Sequence, residues 1–140
     1  KGNSLPHLLT DEEIETSILT FFELLRPGGV LVIGLRDFDM MLSHRPRFLP
    51  GFDHKDAQDV EFITFDIWEW EEGPPVIATQ NLYMVRGRGT DFQTVKHSVQ
   101  FRPLSVDELK VVLLEQNFED IEQSSDRWEQ IVTARKPLSG

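Results

Sequence analysis

The sequence contains no cysteine in its 140 residues. Disulfides and thiolate metal sites are therefore excluded, and a chain without disulfides suits a reducing compartment. Three of the four histidines, His44, His54 and His97, lack metal-ligand spacing with each other or with acidic neighbours. We therefore expect a cytoplasmic protein that needs no metal ion.

Basic charge and long apolar runs are also scarce. The chain has 14 lysines and arginines against 24 acidic residues, a formal net charge of −10. Such a field repels phosphate backbones, so a nucleic-acid partner is not expected. No window approaches the roughly 18 consecutive apolar residues of a transmembrane helix, and no basic-then-apolar secretory leader is visible. The composition predicts no membrane partner.

What is present begins with a clear helix and a buried strand. Thr10 and Glu13 have capping-box spacing, and apolar residues then recur at helical intervals, which predicts a helix over 11–25. The run 30–36 has no polar alternation, which predicts a central strand covered on both faces and parallel to what precedes it. Such a strand needs neighbours on each side, so the sheet looks incomplete within this sequence.

The later segments predict a mixed antiparallel architecture. We expect a helical turn over 38–44 and a loop over 45–60, with turns at 73–75 and 86–89. Ser105 and Glu108 form a second capping box, and Asn117 suits a left-handed helix end. A change of apolar parity between Ile67 and Trp68 predicts a bulge. The expected strands span 61–72, 76–86, 91–102, 119–124 and 128–135.

Three short motifs carry a family resemblance. The segment LRPGG at 25–29 follows GNSLPHLL at 2–9 and precedes RDFD at 36–39. This order resembles the C-terminal half of a class I S-adenosylmethionine-dependent methyltransferase, closest to the glycine/sarcosine N-methyltransferase-like branch. In that family the chain would start just past the fourth strand, and the 140 residues contain no G-x-G-x-G loop.

The resemblance implies an α/β fold. It would be the C-terminal portion of a Rossmann-like methyltransferase sheet, with an inserted antiparallel β-meander and a terminal antiparallel hairpin. We expect residues 1–140 to form a single partial domain that lacks the N-terminal cofactor-binding strands. Residues 60–102 would be the meander insertion.

The resemblance also implies a function and site residues. The cofactor would be S-adenosylmethionine, bound in part by Ser4, Leu5 and His7. The acceptor would be a small molecule, such as the amine of glycine, sarcosine or a related amino acid, held by Asn3 and Arg36. No catalytic side chain is expected, because the sulfonium leaving group is already activated and the protein mainly positions the acceptor. The fragment alone would be inactive.

Several alternatives stay open at this point. Asn3 and Ser4 could serve only the loop, and Leu5 could simply pack in the core. The other interpretation of Arg36 is an intramolecular pair with Asp37 or Asp39, since a buried cation needs a partner.

Two further alternatives concern the meander and the function. Trp68 and Trp70 could line a substrate lid or pack a sheet face. The alternative function is a non-catalytic α/β module that binds a ligand or partner chain and dimerises through an exposed sheet edge. We expect a homodimer, formed along the unpaired side of the strand 30–36.

Overall fold

The computed structural model describes residues 4–127 and 129–139. They form two compact units. The helical unit comprises the described residues of 1–44 and 102–140, and the meander unit comprises 45–101. After a 3-10 turn at Leu5–His7, the elements are α1 Asp11–Leu24, β1 Val30–Arg36, α2 Phe38–His44, β2 Phe48–Lys55, β3 Glu61–Glu71, β4 Ile77–Arg88, β5 Asp91–Phe101, α3 Val106–Glu115, β6 Glu119–Asp126 and β7 Glu129–Arg135.

Both long helices begin at the caps that the sequence predicts. The Thr10 hydroxyl accepts a hydrogen bond from the backbone N–H of Glu13 at 3.2 Å. The Ser105 hydroxyl does the same for Glu108 at 3.1 Å. Asn117 follows α3 with a φ of +67°, the left-handed conformation expected at that helix end. Local chemistry therefore determines where these helices begin and where α3 ends.

The core of the helical unit lies on one face of a three-stranded antiparallel sheet with the strand order β1-β7-β6. Helices α1 and α3 contribute to the same buried apolar cluster as strands β1 and β7. Its members are Ile14, Ile18, Ile33, Leu35, Leu104, Val106, Leu109, Leu113, Phe118, Val132 and Ala134. This packing fixes β1 against β7 in one register, from Val30 opposite Arg135 to Arg36 opposite Glu129.

Strand β1 differs from the expectation in its surroundings. Among the described residues it pairs only with β7, and that pairing is antiparallel. Ile33 and Leu35 are buried, whereas Val30 and Val32 remain 45% and 47% exposed. Within the described residues β1 therefore stands at the edge of its sheet, and the prediction that both of its faces are covered is wrong there. Its expected central position, parallel to the strands that precede it, stays a prediction.

The meander unit is a four-stranded antiparallel sheet with the order β2-β3-β4-β5. The prediction of a loop over 45–60 is wrong, because β2 pairs with β3 there. Pro50 and Gly51 interrupt the strand pattern in the sequence, and the ladder shifts register between Pro50 and Asp53. The bulge therefore lies in β2, whereas the β3–β4 ladder is continuous past the predicted position at Ile67 and Trp68.

Two smaller observations complete the fold. Strand β4 continues to Arg88, so only the end of the predicted 86–89 turn leaves the ladder. None of the helices in the described ranges has the length and apolar character needed to cross a membrane.

Candidate functional site

A cleft of about 500 Å³ runs along the free edge of β1 in the helical unit. Three elements form its walls: the N-terminal segment, the middle of α1 and the middle of β1. The lining residues are Ser4, Leu5, Leu8, Ser17, Phe21, Leu31, Val32, Ile33 and Gly34. Most of this surface is apolar, and two hydroxyl groups provide hydrogen-bonding capacity, so the cleft suits a small organic ligand with a flat apolar part.

The N-terminal wall is held in place by the backbone. Pro6 is buried within the 3-10 turn, and its carbonyl oxygen accepts a hydrogen bond from the backbone N–H of Arg102 at 2.7 Å. The Arg102 guanidinium in turn pairs with Asp11 at the start of α1 and with Glu108 in the first turn of α3. These contacts fix the backbone of the segment beside β1, and the Leu5 side chain also packs against the apolar core cluster.

The structure brings together some of the predicted cofactor residues and leaves others apart. Ser4 and Leu5 line the cleft, opposite Gly34 of β1. His7 is exposed and is not among the lining residues. Asn3 lies outside the described residues. The assignment of these residues to a cofactor stays a prediction.

Sequence reasoning missed part of the lining. Ser17 and Gly34 were not singled out, although Ser17 carried a signal. It lies three residues after Ile14 and four before Phe21, so a hydroxyl interrupts the apolar stripe of α1. A polar residue at such a position marks a helix face that does not simply pack in the core.

Arg36 ends β1 outside the cleft lining and is half-buried. Its cross-strand neighbour is Glu129 of β7, so both side chains project from the same face of the sheet. The Glu129 carboxylate lies over Gly34, where the Cβ of any other residue would overlap it. The glycine in β1 thus makes room for an acidic group beside Arg36.

The carboxylates that sequence reasoning paired with Arg36 accept backbone hydrogen bonds. Asp37 Oδ1 accepts from the N–H of Met40 at 3.1 Å, as expected for a residue that caps the following helix. Asp39 Oδ2 accepts from the N–H of Val106 at 3.3 Å, at the start of α3. Glu129 was missed because cross-strand register is not visible in the sequence.

The tryptophan pair supports the packing alternative. Trp68 is fully buried, and its ring lies 6.0 Å from that of Trp70 and 5.9 Å from that of Phe101. Trp70 Nε1 donates to the Pro46 carbonyl at 3.0 Å, and the Arg45 guanidinium lies 5.9 Å from the Trp70 ring centre. These contacts hold both rings in the meander unit, so a lid role for Trp68 is wrong.

Across residues 4–127 and 129–139, no group of three or more histidine, aspartate or glutamate side chains could hold a metal ion together.

Solved structures resemble this fold. An S-adenosylmethionine-dependent methyltransferase from Clostridium acetobutylicum matches 99% of the chain at 13% identity, with a TM-score of 0.65. CalS10 is an amino pentose methyltransferase from Micromonospora echinaspora, solved with S-adenosylmethionine bound. It matches 97% of the chain at 14% identity, with a TM-score of 0.71. The sugar N-methyltransferase KedS8 from a Streptoalloteichus species matches 98% of the chain at 12% identity, with a TM-score of 0.66. No protein-family model and no curated protein matches the sequence.

These likenesses concern the fold and cover only part of the other proteins. The chain spans 54–56% of the length of the three solved structures. They confirm the predicted fold class: the C-terminal portion of a Rossmann-like methyltransferase sheet, with an inserted antiparallel meander and a terminal antiparallel hairpin.

Proposed function

We propose that this chain is the C-terminal part of an S-adenosylmethionine-dependent methyltransferase that acts on a small-molecule acceptor. The observation that carries the proposal is the cleft along the free edge of β1, in a fold shared with solved methyltransferases. In open α/β sheets, ligands bind beyond the carboxyl ends of the strands, and Gly34 and Arg36 lie toward that end of β1. The cytoplasmic location stays a prediction.

The cleft residues fit one side of the cofactor. Leu5 and Phe21 offer apolar surface to a flat adenine ring, and the hydroxyls of Ser4 and Ser17 offer hydrogen bonds to its polar edge or to the ribose. When bound, S-adenosylmethionine supplies an activated methyl group on a sulfonium. The residues of this chain need only bind the two reactants, orient the acceptor and exclude water.

The finer proposal is that the acceptor is the amine of glycine, sarcosine or a related amino acid. Arg36 would bind the acceptor carboxylate, with Asn3 as its partner. Because Glu129 faces Arg36, the guanidinium would share its five N–H donors between this carboxylate and the substrate. Glu129 would also reduce the positive charge near the substrate carboxylate. A small acid would therefore bind less tightly and dissociate more readily.

An amino sugar is a second candidate acceptor. It is supported by two of the similar structures, one described as an amino pentose methyltransferase and the other as a sugar N-methyltransferase. Such an acceptor has no carboxylate for Arg36, and the acidic Glu129 would then accept hydrogen bonds from sugar hydroxyls or the amine.

The cofactor cleft is tested by filling it in the full-length protein that contains this chain. Ser17→Trp places an indole in the cleft, so we expect S-adenosylmethionine affinity measured by calorimetry to fall at least tenfold. Thr20→Trp, on the exposed side of the same helix, is the matched control and should bind normally. Unchanged affinity in Ser17→Trp would mean that the cofactor does not use this cleft. The isolated 140-residue chain should show no measurable binding.

The acceptor class is tested with Arg36→Lys, which keeps the charge but loses the planar fork. For an amino-acid acceptor, the lost bidentate contact of about 1.5–3 kcal/mol lowers kcat/KM roughly tenfold to somewhat over a hundredfold, mainly through KM. For an amino-sugar acceptor the same variant should retain normal KM. A loss of thermal stability with unaltered acceptor kinetics for both classes would leave Arg36 with a purely structural role.

A further inference from the structure

Strand β5 is a long exposed edge in the meander unit. It stands last in the strand order and pairs with β4 on one side only among the described residues. Every residue from Asp91 to Gln100 is exposed. Val95 and Val99, on the same face of the strand, are 50% and 39% exposed. Unpaired N–H and C=O groups on such an edge are a template for another strand.

The strand lacks the features that usually protect an edge from pairing. It contains no proline, and its ladder with β4 is unbroken from Ala78 opposite Phe101 to Arg88 opposite Asp91. Its one lysine, Lys96, lies opposite Tyr83 of β4, and its ammonium is 5.7 Å from the centre of that ring. The charge is therefore directed towards β4 and away from the free edge.

The order of side chains along β5 is self-complementary in one register. In an antiparallel pair of two identical strands centred on His97, Val95 of each copy lies opposite Val99 of the other. Both valine pairs then share one face with the central pair of His97 side chains, and Lys96 lies opposite Ser98 on the other face. A pair centred on Lys96 would place two lysines opposite each other, which is destabilising. A pair centred on Val95 would place Val99 opposite Asp91.

We propose that two copies of this chain associate through β5, antiparallel and centred on His97, to join their two meander sheets into one. We take a second copy as the partner because the register centred on His97 places valine opposite valine. It therefore covers the exposed valines and provides hydrogen-bond partners for the unpaired backbone groups of the edge. If a different segment of a longer chain paired with this edge, the match of β5 with itself would have no structural role.

The association is tested by sedimentation equilibrium over a range of concentrations of the 140-residue chain. Val95→Lys places a charge at both valine contacts of the dimer, so we expect its dissociation constant to rise at least tenfold. Val111→Lys is the matched control, because Val111 is 53% exposed on α3. It should associate like the wild-type chain. Circular dichroism of both variants checks that they fold.

The register is tested with single cysteines, which the cysteine-free sequence makes straightforward. Opposed residues of an antiparallel pair have Cα atoms about 4.5–5.5 Å apart, within the range that a disulfide spans. His97→Cys should therefore form a covalent dimer on mild oxidation. Val95→Cys should not, because its two copies would lie roughly 13 Å apart along the strands.

The results that would overturn the proposal are specific. A wild-type chain that stays monomeric at high concentration would exclude the dimer. Association that survives Val95→Lys but is lost in Val32→Lys would place the contact on β1. A covalent dimer from Val95→Cys, with none from His97→Cys, would show that the proposed register is wrong.

Discussion

Arg102 is the side chain on which the arrangement of α1 and α3 should depend most. Its side chain is 11% exposed and pairs with Asp11 and Glu108, which lie in the first turns of the two helices. We expect Arg102→Met to keep the apolar packing of the stem while removing both ion pairs. The backbone hydrogen bond from residue 102 to Pro6 is retained, so the change isolates the guanidinium.

The expected loss of unfolding free energy follows from how exposed the two carboxylate partners of Arg102 are. Breaking a fully buried ion pair costs about 3–5 kcal/mol, because the remaining charge is left buried without a partner. Asp11 and Glu108 are 67% and 48% exposed, so water can solvate both carboxylates once Arg102 is gone. Each pair is then worth about 0.5–1 kcal/mol. The sum, about 1–2 kcal/mol, lowers the urea midpoint by roughly 0.5–1 M for a typical small domain.

The assay is urea unfolding followed by circular dichroism at a helix wavelength, since all three helices lie in the helical unit. A double-mutant cycle with Asp11→Asn should give a coupling energy of about 0.5–1 kcal/mol. Arg135→Met is the control, because Arg135 is 46% exposed and makes only exposed contacts, an ion pair with Asp120 and a hydrogen bond to the Gly28 carbonyl at 3.0 Å. We expect a smaller change than for Arg102→Met, about 0.5–1 kcal/mol. Equal midpoints for Arg102→Met and the wild-type chain would refute this role.

Three further predictions concern single polar groups. The backbone N–H of Val60, more than that of Gln58, holds the pKa of Asp56 below its usual value. Its stabilising effect is therefore present above about pH 4 and lost as the pH falls, so Asp56→Asn should flatten the acid dependence of stability in a fluorescence titration. Thr10→Ala and Ser105→Ala should each lower the unfolding free energy by about 1 kcal/mol in urea titrations, and Thr10→Ser should not. Asn81 is 3% exposed, donates to the Ile67 carbonyl and accepts from Ser98, so Asn81→Ala should cost about 1–3 kcal/mol by the same assay.

The helices and the long strands could be predicted from the sequence because their signals are local. The capping boxes at Thr10 and Ser105 and the left-handed Asn117 depend on groups only a few residues apart. Alternation of apolar residues likewise marked β3, and the turn residues at 73–75 and 86–89 separated β3, β4 and β5. Strand β2 was missed because Pro50 and Gly51 are typical of loops, whereas here a bulge accommodates them between two paired segments.

The candidate site was predictable only in part, because it depends on register and tertiary packing. Ser4 and Leu5 were found through a motif, and the structure places them beside β1. The position of Glu129 beside Arg36 depends on how β7 aligns with β1 across almost a hundred residues of sequence. No local pattern contains that alignment. Gly34 makes room for Glu129, and this contribution can be recognised only once the register between β1 and β7 is known.

The β1 and β5 edges differ in whether an identical strand could pair with them. A two-fold pair of β1 strands centred on Ile33 would place Arg36 of each copy opposite Val30 of the other, so a charged end would meet an apolar one. It would also close the cleft lined by residues 31–34, which the proposed function needs open. The corresponding pair of β5 strands opposes valine to valine and uses none of the residues that line the cleft. This comparison favours β5 over the β1 edge expected from the sequence as the site of the proposed self-association. The β1 edge then stays available for the further strands that the proposed function expects.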